Sequence, residues 1–262
     1  MTDEASEKAD LVDVERRGEI TVICMQRPGR RNALSIALRE ALIAAFTETM
    51  ADPACRAIVL SGAGGHFCAG GDLDDFQLDG LAAARDRSRR GHVLPRTIAT
   101  GPKPVVAAVE GSAYGAGVSL AAICDHIVVA EDARFCASFA KVGLMPDYGL
   151  IWSLQQRVGQ ARTNEMLMQA IEVSGRDAVE MGLANEICAA GKALERAIEV
   201  AGQLATRAPL TLAAIKRAQA AAGLEIIFAQ EVESQPELFL STDFANAIDA
   251  FRNKRQPEFR GE

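Results

Sequence analysis

Apolar positions form two kinds of pattern along this chain, a helical repeat and short continuous runs. Between residues 38 and 50 the apolar side chains recur at helical spacing, which predicts a helix with one buried face, and Ser35 is placed to cap its start. Short continuous apolar runs at 57–60, 104–109 and 127–130 are typical of buried strands. Because strand, turn and helix succeed one another, we expect an α/β core built from βαβ-like units.

Three further segments complete this outline. Two short strands that form a hairpin are predicted for residues 11–27, and the ten residues before them are expected to be mobile. The Arg- and Ala-rich stretch at 78–98 predicts a helical or irregular excursion. A last strand is predicted at 185–187.

The end of the chain has a different character. From about residue 190 the pattern is almost wholly helical. No low-complexity linker and no exact internal repeat interrupts the chain. We therefore expect a core of residues 1–200 followed by a helical segment of residues 201–262.

Two glycine-rich turns, at residues 67–73 (FCAGGDL) and 114–120 (YGAGVSL), each follow a predicted strand. Glycine lets backbone N–H groups turn outward and approach a ligand closely. Two such turns can aim two N–H donors at one oxygen, which is how an enolate or another oxyanion is stabilised. The turns therefore indicate chemistry on a carbonyl group.

Composition narrows the class of protein. With 262 residues, 49% of them hydrophobic and 24% charged, the chain suits one large domain or one domain with an appendage. A net charge of −7 disfavours a nucleic-acid surface. No apolar run reaches the ~18 residues of a membrane-spanning helix. We expect neither nucleic acid nor membrane as a partner.

Cysteine and histidine usage favours a reduced protein without a metal. The six cysteines are widely spaced and form no CxxC pair, so we expect free thiols in the cytoplasm. The acidic, polar start lacks the pattern of a signal peptide. The three histidines do not cluster, so no metal site is expected.

Two roles fit Asp147. It follows Pro146 and precedes an apolar stretch that predicts a helix near Leu150, a setting that favours an N-cap. A carboxylate can also act as a general base where it faces a substrate. A Ser–His–Asp triad at Ser119 is not favoured, because the only later histidine, His126, is too close to follow a separate acid.

Together these motifs resemble the crotonase, or enoyl-CoA hydratase/isomerase, superfamily. The resemblance rests on residues 67–73, 111–120 and 143–147 (GLMPD) in this order and spacing. It extends over nearly the whole chain, from the segment at 27–34 to the one at 251–259. It implies an α/β spiral of βαβ units with a C-terminal helical region that packs subunits into trimers, often paired as hexamers.

The resemblance also implies an acyl-CoA thioester as substrate, with coenzyme A as part of it and no other cofactor. The backbone N–H groups of Gly71 and Ala116 would form the oxyanion hole for the thioester oxygen. Family members usually have glycine at the position of Ala116, and alanine still supplies the N–H. Residues expected to bind the substrate from the turns and the CoA site are Arg30, Ala33, Ala69, Gly70, Asp72, Leu73 and Gly115. Phe251 and Lys254 are expected to reach the CoA from a neighbouring subunit.

Two departures from the family pattern bear on the reaction. Hydratases of this family carry two glutamates, and Ser119 and Phe139 stand at those positions. Neither side chain can activate water as a carboxylate does. Asp147 matches the position used by Asp-dependent members, such as dienoyl-CoA isomerases and 1,2-epoxyphenylacetyl-CoA isomerase. A dehalogenase is disfavoured because Phe139 replaces that branch's tryptophan.

The resemblance therefore favours an acyl-CoA isomerase in which Asp147 moves a proton. Phe139, Tyr148 and Trp152 are expected to wall the acyl pocket, to exclude water and to raise the pKa of Asp147. Ser119 is expected in a helix or in the pocket. The 76–98 region is expected to shape the acyl pocket, and its arginines fit either a polar acyl chain or solvent exposure.

Three alternatives stay open at this point. One is an enoyl-CoA hydratase that activates water with Asp147 or with another acid such as Asp75. Another is a non-catalytic acyl-CoA-binding subunit, because both glutamates are missing. A nucleic-acid-binding family member is the third, and the net charge of −7 disfavours it.

Overall fold

The largest sheet has six strands and carries the N-terminal hairpin at one edge. The computed structural model describes residues 11–76 and 78–262, so the prediction for the first ten residues lies outside the described part. All neighbouring strands of this sheet are parallel except the first two, which form the predicted antiparallel hairpin. Its strands in spatial order are β1 (Val12–Arg17), β2 (Ile20–Met25), β3 (Ala57–Gly62), β4 (Val105–Val109), β6 (His126–Ala130) and β9 (Glu186–Cys188).

A second sheet consists of three short strands. These are β5 (Ser112–Tyr114), β7 (Arg134–Cys136) and β8 (Glu172–Ser174). Strands β5 and β7 are parallel, and β7 and β8 are antiparallel. The sequence did not reveal these strands, because three residues are too few to establish a period.

Helices cover the sheets and dominate the C-terminal part. In the described residues they are α1 (Ile36–Ala51), α2 (Gly80–Gly91), α3 (Val93–Thr100), α4 (Ala116–Ala122), α5 (Leu150–Met168), α6 (Gly175–Glu180), α7 (Ala193–Ala205), α8 (Pro209–Ala221), α9 (Leu224–Phe239) and α10 (Thr242–Arg252). No helix in the described part has the length and apolarity to cross a membrane. The predicted cap of α1 is confirmed, since the Leu38 N–H donates to Ser35 Oγ at 3.1 Å.

Two hydrophobic clusters lie on opposite faces of the large sheet, because successive strand residues point to opposite sides. Ile58 and Leu60 of β3 belong to the main core, which also takes the buried face of α1. Ala57 and Val59 of the same strand belong to the second cluster, with the inner face of α7. The predicted boundary at residue 200 falls inside α7, and the division of the chain there stays a prediction.

Candidate active site

Backbone hydrogen bonds bring the two glycine-rich turns side by side. The Cys68 N–H donates to Ser112 O at 3.0 Å, and the Tyr114 N–H donates to Cys68 O at 2.9 Å. Gly70, at φ +99°, lies so close to the second turn that a Cβ there would be 2.8 Å from Tyr114 O. Glycine is therefore required by both the backbone conformation and the contact.

Within residues 11–76 and 78–262, the backbone amides of Gly71 and Ala116 have no acceptor where these turns meet. Leu34 N–H donates to Gly70 O at 2.7 Å and Asp72 N–H donates to Leu34 O at 3.2 Å, which holds the chain on both sides of Gly71. Ala116 is the first residue of α4, where backbone N–H groups have no partner within the helix. In the described part of the chain neither amide donates a hydrogen bond. Both residues line the same two cavities, so two free donors are available to one ligand.

The two cavities meet at these amides. The larger has a volume of about 500 Å³, and the smaller has a volume of about 40 Å³. Gly71, Phe76, Ala116 and Asp147 line both. A ligand that spans the two cavities would pass between the paired amides and the carboxylate.

Asp147 presents an unpaired oxygen to this junction. Its Oδ1 is excluded from solvent and has no hydrogen-bond partner in the described residues. Tyr148 (φ +59°) and Gly149 (φ +77°) both adopt left-handed conformations between Asp147 and α5. The expectation that Asp147 caps this helix is therefore wrong: Gly149 is the N-cap residue, and glycine has no side chain that could cap the helix.

Burial is the main reason that the Asp147 carboxyl is easily protonated. Loss of solvent raises its pKa from 3.8 to about 7, and the nearby Glu231 carboxyl adds to this increase. His92 and Arg87 act in the opposite direction. A carboxyl group that titrates near neutral pH can both remove and return a proton.

Two residues of α9, one turn apart, hold the segment that carries Asp147. The Gln235 side chain bonds Met145 twice: Met145 N–H donates to Oε1 at 3.1 Å, and Nε2 donates to Met145 O at 2.9 Å. Glu231 Oε1 accepts from Gly149 N–H at 2.9 Å. The backbone is thus fixed on both sides of Asp147.

Glu231 also forms a buried pair with His92. The His92 Nε2 to Glu231 Oε2 distance is 2.7 Å. Burial lowers the pKa of His92 to about 4 and raises the pKa of Glu231 to about 8. Burial therefore favours the uncharged form of each side chain, and one hydrogen bond joins the two.

Comparisons with known proteins agree with this geometry. A family model described as enoyl-CoA hydratase/isomerase matches residues 15–262. The chain belongs to this family. We conclude that it is an enzyme that acts on an acyl-CoA thioester.

Individual members show how far the similarity extends. The chain is 37% identical to a protein of Rhodobacter capsulatus described as a probable enoyl-CoA hydratase, over 92% of this chain and 95% of that protein. It is 32% identical to 1,2-epoxyphenylacetyl-CoA isomerase of Escherichia coli, over 93% and 95% of the two chains. The crystal structure of an enoyl-CoA hydratase from Mycobacterium avium subsp. paratuberculosis K-10 superposes with a TM-score of 0.86 at 28% identity, and the match covers 95% of this chain and 98% of that one.

Most residues expected at the enoyl-CoA hydratase/isomerase site lie together. Tyr148 lines the smaller cavity. Those that line the larger cavity are Arg30, Ala33, Ala69, Gly70, Gly71, Asp72, Leu73, Gly115, Ala116, Phe139, Asp147 and Phe251.

The structure places two candidates for the pocket elsewhere. Ser119 lies in α4 with its hydroxyl buried, so it is a helix residue and lines neither cavity. Trp152 lines a separate cavity and lies beside Gly223, in the connection between α8 and α9. Phe251 lines the larger cavity of its own chain and Lys254 does not, and the expectation that both reach the CoA of a neighbouring subunit stays a prediction. Asp75, the alternative acid, accepts a hydrogen bond from Ile36 N–H at 2.6 Å.

Sequence reasoning overlooked several charged or polar residues at the smaller cavity. Arg39 follows the buried Leu38 in α1 and is itself only 5% exposed. In the sequence, its position beside the apolar stripe of the predicted helix was a sign that a charged side chain could be buried there. Glu231 and Gln235 lie in the segment assigned to oligomerisation, and their four-residue spacing gave no sign that they reach a loop far away in sequence.

Proposed function

We propose that this enzyme isomerises an unsaturated acyl-CoA by moving a proton through an enolate. The supporting observation is the unpaired, solvent-excluded Oδ1 of Asp147, in a cavity that also contains the free amides of Gly71 and Ala116. Asp147 would remove a proton from a carbon near the thioester. The two amides would stabilise the negative charge on the oxygen, and each such donor is typically worth ~3–4 kcal/mol. Asp147 would then return the proton at another carbon.

The side chains at positions 119 and 139, neither of which is a carboxylate, support an isomerase over a hydratase. Ser119 is buried away from the cavity, and Phe139 contributes an apolar wall. A proton shift needs one carboxyl group that alternates between base and acid. It needs no cofactor other than the coenzyme A of the substrate.

Replacing Asp147 by Asn tests this proposal. We expect Asp147→Asn to lower the rate of double-bond migration in a 3-enoyl-CoA by about 10²–10⁴-fold. Asp132→Asn, which changes an exposed carboxylate in a turn, is the matched control and should keep the wild-type rate. Product formation is followed by NMR in deuterated water, which reports both the position of the double bond and proton exchange. Wild-type turnover by Asp147→Asn would remove this residue from the mechanism.

Hydration is the second candidate, and one observation favours it. Glu231 lines the smaller cavity together with Asp147, so two carboxyl groups of raised pKa border one space. Mass spectrometry of the products of a 2-enoyl-CoA detects the gain of one water, which an isomerase does not produce. Tight binding of a broad panel of acyl-CoAs with no turnover would indicate a binding subunit instead.

We also propose that the enzyme is a cytoplasmic homo-oligomer, a trimer or a hexamer. Two large apolar side chains of the C-terminal helices, Leu210 and Ile226, are 84% and 65% exposed in the single chain. Exposed apolar side chains of this kind support association between subunits. All six cysteines are free thiols, which is typical of a reducing compartment.

A further inference from the structure

The smaller cavity extends the proposed active site in the direction of the acyl group. It begins at Gly71, Ala116 and Asp147, where the larger cavity ends. If the thioester oxygen binds at the two amides, as the proposed function requires, the acyl chain enters this space. Its lining includes polar and charged side chains from α1, α2 and α9 and from the junction of α2 and α3: Arg39, Arg87, Ser88, His92, Glu231 and Gln235.

Two guanidinium groups dominate the charge of this lining. The Arg39 side chain is only 6% exposed, and its ion-pair partner Glu40 lies mostly in solvent. Arg87 donates to Asp75 O at 3.0 Å, and its guanidinium lies 4.2 Å from the centre of the Phe76 ring. In the described residues no carboxylate forms a salt bridge with Arg87.

Burial disfavours the charge of the Arg87 guanidinium. Burial lowers the pKa of Arg87, and the positive charge of Arg39 lowers it further. The nearby Tyr148, Asp147 and Asp75 side chains act in the opposite direction and favour the charged guanidinium. A buried cation of this kind is stabilised by an anion that accepts hydrogen bonds from its planar group.

The size of the smaller cavity limits the length of the acyl chain. Its volume of about 40 Å³ holds roughly three water-sized groups, since each needs about 10–15 Å³. A carboxylate has three heavy atoms and fits. A phenyl ring does not, because a cavity that binds benzene measures about 150 Å³.

We propose that the substrate is the CoA thioester of a short unsaturated dicarboxylic acid, whose free carboxylate binds Arg87 with Arg39 beside it. Arg87 would donate hydrogen bonds to the carboxylate oxygens, and its position on the Phe76 ring would hold the guanidinium in place. The reactive carbons would then lie between this anchor and the two amides. This proposal depends on the proposed function for the direction in which the thioester binds.

Saturated thioesters test the acyl specificity by binding alone, because the enzyme does not turn them over. Glutaryl-CoA and pentanoyl-CoA have acyl chains of equal length and differ only in a terminal carboxylate or methyl group. By calorimetry we expect glutaryl-CoA to bind about ten- to a hundredfold more tightly, the range for hydrogen bonds to a charged group. Equal affinity, or tighter binding of pentanoyl-CoA, would overturn the proposal whether or not the enzyme is an isomerase.

Variants of Arg87 locate the source of the preference. Arg87→Met should lower the affinity ratio between the two thioesters to near one, and Arg87→Lys should restore part of it. Arg89→Met, which removes an exposed arginine from the same helix, is the control and should keep the wild-type ratio. If Arg87→Met weakens both thioesters equally, Arg87 only supports Phe76 and the proposal is wrong.

Turnover of the unsaturated pair separates this proposal from the proposed function. Glutaconyl-CoA and 2-pentenoyl-CoA are the matched substrates, and we expect kcat/KM to be at least tenfold higher for glutaconyl-CoA. Turnover that favours 2-pentenoyl-CoA would contradict the acyl specificity and leave the isomerase intact. A retained preference in binding, with no turnover of either thioester, would contradict the isomerase and leave the acyl specificity intact.

Discussion

At the scale of single residues, the raised pKa of Asp147 has a consequence for the stability of the protein. Burial without a partner for Oδ1 makes the carboxyl hold its proton up to near neutral pH. In the unfolded chain the same group loses its proton near pH 4. Folding therefore becomes less favourable as the pH rises between these two values, because the native state binds the proton more tightly.

Removing the charge of Asp147 should consequently stabilise the protein at high pH. The pKa is 3.8 in the reference state and about 7 in the folded protein, so Asp147→Asn and wild type should be nearly equal in stability at about pH 4. From there to pH 7 the variant should gain on the order of 2–4 kcal/mol, since each pH unit contributes about 1.4 kcal/mol. Urea unfolding at a series of pH values measures this difference.

Two outcomes of that experiment are informative. A difference that grows with pH and then levels off above about pH 7 is the signature of one carboxyl group with a raised pKa. A difference that does not depend on pH would show that Asp147 has an ordinary pKa in the folded protein. Asp132→Asn, at an exposed position, should show no pH-dependent difference from wild type.

At the scale of elements, the site depends on two turns that touch through their backbones. Gly70 adopts φ +99° next to Tyr114 O, whereas Gly65 adopts φ +74° with open space around it. Both positions disfavour an alanine for conformational reasons. Only at Gly70 would a Cβ also meet the backbone of the second turn.

This pair of glycines gives a matched test of the contact between the turns. Gly65→Ala should cost about 1 kcal/mol of stability and leave kcat/KM within a few fold, because only the backbone conformation opposes it. Gly70→Ala should displace Gly71 from Ala116 and reduce kcat by about 10²–10³-fold, the usual effect of losing one oxyanion donor. Equal activity of the two variants would show that the relative position of the turns does not matter for the reaction.

The elements also explain what the sequence could reveal. The buried strands of the large sheet could be predicted because β3, β4 and β6 are continuous apolar runs bounded by turns. The paired amides could be predicted from the glycine-rich turns, because glycine allows backbone conformations in which N–H groups point toward a ligand. The hydrogen bonds from Glu231 and Gln235 to the segment that carries Asp147 could not be predicted. They join α9 to a loop more than eighty residues earlier and depend on tertiary packing alone.

At the scale of the whole molecule, the C-terminal helices contribute residues both to the candidate site and to the exposed apolar surface. Helix α9 contacts α2 and places Glu231 at the smaller cavity, so the segment assigned from sequence to oligomerisation also builds the active site. The core and the C-terminal segment are therefore functionally joined. The prediction for Trp152 was wrong, and it concerned a helix, α5, that begins directly after two residues in left-handed conformations. The apolar pattern of the sequence did not show these two conformations.

The exposed apolar side chains of these helices lead to a prediction about assembly. Leu210 of α8 and Ile226 of α9 are among the most exposed large apolar residues of the single chain, and subunit contacts would remove them from water. We expect light scattering to give the mass of a trimer or a hexamer. The double variant Leu210→Asp with Ile226→Asp should shift that mass toward the monomer, because an interface disfavours unpaired buried carboxylates. Val14→Asp, at an exposed apolar position in β1, should leave the mass unchanged. If wild type is a monomer, or if all three proteins have the same mass, these two side chains do not form a subunit contact.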